Sequence, residues 1–255
     1  MIRGLIALVT AIASLSANAT TQPPRVAIII DDIGYRHQQD QAALALPEQM
    51  AFAIIPGTEH GRTVGETAVR QGREVLVHLP MEAIGVGENR LGPVSIDHTD
   101  DEFAVRRTLR DALQELPFAI GLNNHMGSRL TQERRPLLWL MESKLCRRYL
   151  YFVDSYTTRH SVALATADAL SVPAVRRDVF LDHDQSPQAI DAQVRRLIQV
   201  ARQQGYALAI AHPHASTLEA LQALPERLQH YGIELVAPSA LVGDPSTRRS
   251  LAEAD

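Results

Sequence analysis

Short apolar runs recur along the chain, and amphipathic or polar stretches separate them. The first run, Val26–Ile30, is continuous and rich in β-branched residues, which is typical of a strand buried on both faces in a parallel sheet. Similar runs predict strands at 50–55, 74–80, 118–122, 150–153, 174–175, 179–181, 206–211 and 233–236. Apolar spacing and capping signals predict helices at 37–46, 58–71, 131–148, 161–170 and from Ser186 onwards, with a Thr99–Glu102 capping box opening another.

This alternation of strands and helices, repeated about seven or eight times, predicts a parallel sheet with helices outside it. We expect closure into a distorted (β/α)7–8 barrel that forms a single domain over residues 26–242. Residues 20–25 would be a lead-in and residues 243–255 a flexible tail. The alternative is an open doubly wound sheet. It normally carries a glycine-rich loop after the first strand, where this chain has Asp31 and Asp32.

The N-terminal residues have the pattern of a secretory signal. A basic start is followed by the apolar run Leu5–Leu15 and by Ala17-Asn18-Ala19, a small-residue cleavage site. We therefore interpret residues 1–19 as a signal peptide and expect a periplasmic protein, the alternative being an uncleaved anchor. No later apolar run is long enough to span a bilayer, so stable membrane insertion after cleavage is not expected.

Composition narrows the function classes further. The net charge of −4 argues against a nucleic-acid partner. The single cysteine, Cys146, excludes an internal disulfide framework, and its helical apolar neighbours predict that it is buried. No feature of the sequence identifies a protein partner.

The predicted strands share one feature, because polar residues that can carry chemistry stand where the strands end. These residues are Asp31, Asp32, His78, Asn124, His125, Asp154, Asp182, His212 and His214. In a parallel barrel such ends meet at one rim, where active sites lie. Imidazoles with carboxylates form the ligand set of a catalytic divalent metal, most often zinc. A second carboxylate could then be the general base and a histidine the general acid.

Several of these residues could instead have purely structural roles. Asp31 and Asp32 could form an Asx-type turn in water. Asp154 and Asp182 could orient ligands or the acid, or could serve only as loop and helix-cap residues.

From Val26 to Val242 the chain resembles the divergent polysaccharide deacetylase family, a branch of the carbohydrate esterase family 4 superfamily. The resemblance is carried by the motifs Ile30-Asp31-Asp32-Ile33-Gly34-Tyr35, His78-Leu79-Pro80-Met81-Glu82, Gly121-Leu122-Asn123-Asn124-His125-Met126-Gly127-Ser128, Phe152-Val153-Asp154-Ser155, Val179-Phe180-Leu181-Asp182 and Ala211-His212-Pro213-His214.

The resemblance implies a distorted barrel with one divalent metal, usually zinc, and a carbohydrate or peptidoglycan-like substrate. It implies that Asp31 is the catalytic base, that Asp32 and His78 bind the metal, and that His212 or His214 is the catalytic acid. The related enzymes have a second histidine where this chain has Glu82. The third ligand is then either Glu82 or His125, and His125 is favoured because it restores an Asp-His-His set.

Two functions of different classes follow. The first is a metal-dependent hydrolase that removes acyl groups from an envelope carbohydrate polymer, with Asn124, Asp154 and Asp182 supporting the site or the substrate. The second is a non-catalytic periplasmic glycan-binding or regulatory protein that retains the fold, since a fold does not fix a function. The aromatic content of 5% offers few stacking surfaces for a long glycan. Phosphoester hydrolysis ranks last, because no phosphate-binding loop is visible.

Overall fold

The computed structural model describes residues 22–85, 92, 94–143 and 150–242. The predicted signal peptide 1–19, the tail 243–255 and Cys146 lie outside the described residues. Among the helices that are described, none is both long and apolar enough to cross a membrane.

The described part of the chain folds around one sheet in which all strand pairs are parallel. Its strands are β1 (Arg25–Ile33), β2 (Ala51–Ile54), β3 (Val75–Met81), β4 (Gly121–Met126), β5 (Tyr151–Asp154), β6 (Ala174–Arg176), β7 (Val179–Phe180), β8 (Tyr206–Ala211) and β9 (Glu234–Leu235). The order across the sheet is β6-β5-β4-β3-β2-β1-β8-β7, and β9 pairs with the start of β1.

This order is that of a barrel, because β8 returns to lie beside β1. Among the described strands, the cycle breaks between β6 and β7, which Arg177 and Asp178 join. The backbone N–H of Arg177 donates to Asp154 of β5, and that of Asp178 donates to Leu208 of β8. The sheet is therefore a curled half-barrel of eight strands, which confirms the predicted distorted (β/α)7–8 barrel and excludes the doubly wound alternative.

The helices are α1 (His37–Ala43), α2 (Gly61–Arg70), α3 (Glu102–Glu115), α4 (Arg134–Glu142), α5 (Ala163–Ala169), α6 (Pro187–Gln204), α7 (Ala215–Gln222), α8 (Leu224–His230) and α9 (Pro238–Val242), with a 3-10 turn at Leu130–Gln132. Ser186 caps α6 as predicted, accepting a hydrogen bond from the N–H of Ala189. The predicted Thr99–Glu102 capping box is wrong. Asp101 caps α3 instead, while the Thr99 hydroxyl donates to Asp97, because the aspartate next to Glu102 is the stronger acceptor.

The strands separate two hydrophobic layers, and their side chains alternate between them. Val26, Ile28 and Ile30 pack in the outer layer with helix residues such as Val105 of α3. Ala27 and Ile29 point to the inner layer. That layer also contains Leu241 and Val242 of α9. The inner face of each strand therefore leads from an apolar core to whatever side chain stands at its C-terminal end.

Candidate metal centre and active site

On several strands, the row of side chains that faces the inner layer changes from apolar to polar at the C-terminal end of the strand. Ile29 of β1 is followed by Asp31, Leu76 of β3 by His78, and Ile210 of β8 leads to His212. In β4 the row runs from Gly121 through Asn123 to His125. The sequence prediction ended this strand at residue 122. It is wrong there, because β4 begins at Gly121 and carries the Asn-Asn-His segment within it.

A bulge in β1 brings two consecutive aspartates to one place. β1 pairs with β2 at Ile30–Phe52 and next at Ile33–Ile54, so β1 holds one extra residue between these pairs. Asp32 adopts φ of 59°, the left-handed conformation that few residues other than glycine tolerate. In a regular strand Asp31 and Asp32 would point to opposite faces. Here their carboxylates lie 3.5 and 3.2 Å from the same atom, Nε2 of His78.

The turn after this bulge is held by buried polar contacts. Gly34 has φ of 124°, and a Cβ there would lie 2.0 Å from Oγ1 of Thr58, so only glycine fits. Asp40 of α1 accepts hydrogen bonds from the backbone N–H groups of Gly34, at 3.0 Å, and Arg36, at 3.3 Å. These contacts fix the path of the chain that leaves Asp32.

Three potential metal ligands converge at the mouth of the barrel. Oδ1 of Asp32 lies 3.2 Å from Nε2 of His78 and 2.9 Å from Nδ1 of His125, and the two nitrogens are 3.2 Å apart. A tetrahedral zinc with ligands at about 2.0–2.1 Å would separate them by about 3.3–3.4 Å. Oδ1 of Asp32 is buried and accepts no hydrogen bond from a described residue. A buried carboxylate oxygen and two imidazole nitrogens therefore converge at one point, as the ligands of a divalent cation do.

Asn123, which was not among the predicted site residues, joins the ligand group to the predicted base. Its Nδ2 donates to Oδ1 of Asp31 at 2.8 Å, so its Oδ1 is left to accept from Nδ1 of His78, also at 2.8 Å. With the proton held on Nδ1, the Nε2 lone pair of His78 points toward Asp32 and His125. Asn123 is fully buried, so the amide has no competing water.

Burial and neighbouring charge move the pKa values of this group apart. Burial raises the pKa of Asp31, although His78 and His212 oppose the rise. Burial also acts to raise the pKa of Asp32, but the close imidazoles of His125 and His78 outweigh it and hold that pKa far below its usual range. Of the two neighbouring carboxyls, Asp32 therefore stays ionised as a ligand, whereas Asp31 has the higher proton affinity that a base requires.

His212 lies between the ligand group and Asp182. Its Nε2 lies 3.8 Å from Oδ2 of Asp32, and its Nδ1 lies 3.0 Å from Oδ1 of Asp182. Asp182 is buried, and it also accepts from the His212 backbone N–H, at 2.6 Å, and the Thr217 hydroxyl, at 3.0 Å. Burial acts to lower the pKa of His212, but the hydrogen bond to Asp182 and the charges of Asp31 and Asp182 raise it to about 9.

The two alternatives left open by the sequence occupy different positions. His214 lies beside His212, with ring centroids 5.9 Å apart, and its Nε2 faces Nε2 of Gln185 at 3.2 Å. Glu82 bonds both the backbone N–H and Nδ1 of His98, at 2.9 and 2.5 Å. It therefore belongs to a separate group with Asp97 and His98 rather than to the group of Asp32, His78 and His125.

Asn124 and Asp154 lie behind the site rather than in it. Asn124 donates to the carbonyl of Met126 at 2.7 Å and accepts from the N–H of Ser155 at 2.9 Å. Asp154 accepts from the Ser161 hydroxyl and from the N–H of Tyr156. Both side chains hold the loops that follow β4 and β5.

Arg177, which the sequence analysis did not single out, supports the site from the junction of β6 and β7. Its Nε and Nη2 donate to the carbonyls of Ser155, at 2.6 Å, and Tyr156, at 3.0 Å. It also interacts electrostatically with Asp31.

The profile of the divergent polysaccharide deacetylase family matches residues 28–242. The chain belongs to this family. A solved structure of an uncharacterised protein from Agrobacterium tumefaciens is 25% identical, with a TM-score of 0.81 over 88% of this chain and 91% of that chain.

Two further proteins resemble this chain, one in sequence and one in fold. The Escherichia coli K12 protein YibQ, itself described as uncharacterised, is 36% identical over 241 residues, 93% of this chain and 73% of that protein. A family 4 carbohydrate esterase pseudoenzyme from Bacillus anthracis has a TM-score of 0.55 and 13% identity, over 87% of this chain and 66% of that chain. The latter similarity shows a shared fold only.

Proposed function

We propose that this protein is a metal-dependent hydrolase that removes acyl groups from a carbohydrate polymer of the cell envelope. The observation that carries the proposal is the convergence of Asp32, His78 and His125, with Asp31 and His212 lying 3.5 and 3.8 Å from atoms of this group. The family description and the resemblance noted above support a polysaccharide as the substrate. The signal-like N-terminal sequence supports action in the periplasm.

Asp32, His78 and His125 would hold one divalent cation, with zinc the best match to two imidazoles and a carboxylate. When bound, such a cation acidifies water and polarises an acyl carbonyl. Asn123 keeps His78 in the tautomer whose Nε2 lone pair faces the cation.

The protein's own residues supply the proton transfers. Asp31 accepts a proton from the water that attacks the acyl carbon, and its raised pKa makes it a better base than an ordinary carboxylate. His212, whose pKa is raised, despite burial, to about 9 by Asp182 and the nearby aspartates, donates its proton to the sugar nitrogen or oxygen as the bond to the acyl carbon breaks. The products are a free carboxylic acid and an unmodified amino or hydroxyl group. Asp182 keeps the imidazole aimed throughout.

Metal content of the purified chain tests the ligand set directly. We expect about one zinc, nickel or cobalt ion per chain. It should be lost in D32A and H125A and kept in E82A, which serves as the matched control. Metal loss in E82A with retention in H125A would show that the ligand assignment is wrong.

Release of acetate from acetylated glycans tests the reaction. D31N should retain metal and lose turnover, because an amide cannot take the proton from water. Absence of metal under every loading condition would rule out the hydrolase and favour the non-catalytic glycan-binding or regulatory alternative. In that case D31N should leave the biological role intact.

A further inference from the structure

A positively charged cavity lies next to the catalytic centre. It has a volume of about 570 Å³, and three arginines, Arg176, Arg177 and Arg196, line it together with the aromatic rings of Tyr156 and Phe180. Arg176 comes from the end of β6, Arg177 follows it, and Arg196 comes from α6. Asp178 also lines the cavity, so its wall carries three guanidinium groups and one carboxyl group, and the guanidinium groups repel one another.

The cavity lies beside the proposed active site, because Phe180 of its wall contacts His212. The ring of Phe180 meets the imidazole of His212 edge-on, with centroids 5.3 Å apart. Arg177, on the same wall, acts electrostatically on Asp31. A polymer whose acyl group lies between Asp31 and His212 would therefore place a neighbouring part of its chain against these arginines.

Aromatic rings hold two of the arginines in place, and two of the three guanidinium groups form no hydrogen bond within the described part of the protein. The guanidinium of Arg176 lies 4.6 Å from the centroid of the Tyr156 ring, and that of Arg177 lies 5.1 Å from the Phe180 centroid. The side chains of Arg176 and Arg196 form no hydrogen bond or ion pair with any residue that the structure describes. Both therefore have guanidinium N–H groups available for a ligand.

The acidic residue on the cavity wall is engaged elsewhere. Asp178 accepts from the backbone N–H of Leu208 at 2.8 Å and from Nε2 of Gln204 at 3.1 Å. Burial raises the pKa of Asp178, which weakens it as a permanent counter-charge even though Arg176 and Arg177 oppose the rise. His183, also on the wall, would add positive charge if protonated.

We infer that this arginine cavity binds an oxyanion of the substrate, so the polymer carries a carboxylate or phosphate close to the sugar that is deacylated. This inference rests on the proposed function, which supplies the glycan. Guanidinium groups match both oxyanions through paired, charge-assisted hydrogen bonds. A neutral polymer such as chitin would leave the guanidinium groups of Arg176 and Arg196 without a hydrogen-bonding partner.

Calorimetric binding of three tetrasaccharides to the intact protein tests the inference. The probes are neutral chitotetraose, a tetrasaccharide of alternating N-acetylglucosamine and N-acetylmuramic acid that carries carboxylates, and chitotetraose 6-phosphate. The variant R176Q/R196Q removes two charges but leaves Arg177, which supports the site, in place. R202Q is the matched control, because Arg202 is on the same helix but lines a different cavity.

We expect the wild-type protein to bind at least one acidic probe roughly tenfold more tightly than the neutral probe. The ratio should fall to about one in R176Q/R196Q and remain in R202Q. The more tightly bound acidic probe identifies the oxyanion as carboxylate or phosphate. Equal binding of all three probes, a preference that survives in R176Q/R196Q, or no binding of any probe would overturn the inference.

Binding does not depend on turnover, so the two proposals can fail separately. An acidic preference without metal or acetate release would leave the anion site standing and remove the hydrolase. Acetate release without an acidic preference would do the opposite.

Discussion

Asn123 and Asp31 are 92 positions apart in sequence, yet the amide of the first donates a 2.8 Å hydrogen bond to the carboxylate of the second. The same amide accepts from Nδ1 of His78. One buried side chain thus orients both the proposed base and a proposed metal ligand. Loss of its two hydrogen bonds should affect both functions together.

N123A should weaken metal affinity about 10- to 100-fold, because outer partners of ligating histidines typically contribute this much. Turnover at saturating metal should fall as well, since Asp31 loses its donor. Competition with a chelator measures the affinity, and acetate release measures the turnover. T166A is a suitable control, because it removes the hydrogen bond from the hydroxyl of the buried Thr166 to the carbonyl of Val162, away from the site. Equal metal affinity in N123A and the wild type would contradict this role.

Asp32 combines a function with a strained backbone. Its φ of 59° suits glycine, whereas a Cβ in this conformation costs roughly 1–2 kcal/mol. With a chelator present to remove any metal, the free energy of unfolding of D32G should be about 1 kcal/mol higher than that of D32A, although both variants lack the carboxylate ligand. Urea unfolding provides the comparison. If D32A were as stable as D32G, the left-handed conformation at the bulge would not exist in solution.

The sequence predicts the barrel well because continuous apolar runs are a strong signal of buried parallel strands. It also predicts that Asp31, Asp32, His78, His125 and His212 lie near one rim, since each closes a strand. It could not predict that both aspartates point inward. That depends on one extra residue in β1 relative to β2, and pairing register is not visible in a run such as Val26–Ile30 that is apolar on both faces.

The choice between Asn123 and Asn124 shows the same limit. The strand was predicted three residues too early, so neither amide could be assigned to a face. With β4 starting at Gly121, simple alternation puts Asn123 and His125 on the inner row and Asn124 on the other side. The sequence could not predict a role for Arg177. That role depends on the junction between β6 and β7 in the half-barrel, and local sequence patterns do not show this topology.

Asp182 should act on catalysis through His212 alone. D182N would remove the carboxylate that receives Nδ1–H and would favour the wrong tautomer or orientation of the ring. We expect kcat to fall on the order of 100-fold or more, with little change in KM or metal content. T217V removes only the hydrogen bond that the Thr217 hydroxyl donates to Asp182, so kcat should fall by less than in D182N. Metal loss in D182N would instead indicate a structural role for Asp182.

Asp40 provides a prediction about pH and stability. Burial raises its pKa above the ordinary value of 3.8, and its Oδ1 is buried without a hydrogen-bond partner among the described residues. The folded state therefore holds this proton more tightly than the unfolded chain does. As the pH rises from below 3.8 through the folded pKa, the contribution of Asp40 to the free energy of unfolding falls.

D40N removes this dependence, since its amide oxygen can still accept from Gly34 and Arg36 without becoming charged. The stability of D40N relative to the wild type should increase between about pH 4 and pH 7. Urea unfolding at both pH values measures the difference, and the other carboxyl groups cancel from it. D168N, which changes an exposed carboxylate on α5, controls for loss of a surface charge. A stability difference that shrinks with rising pH would show that Asp40 is stabilised in its ionised form, as a partner of the nearby His37 and His60.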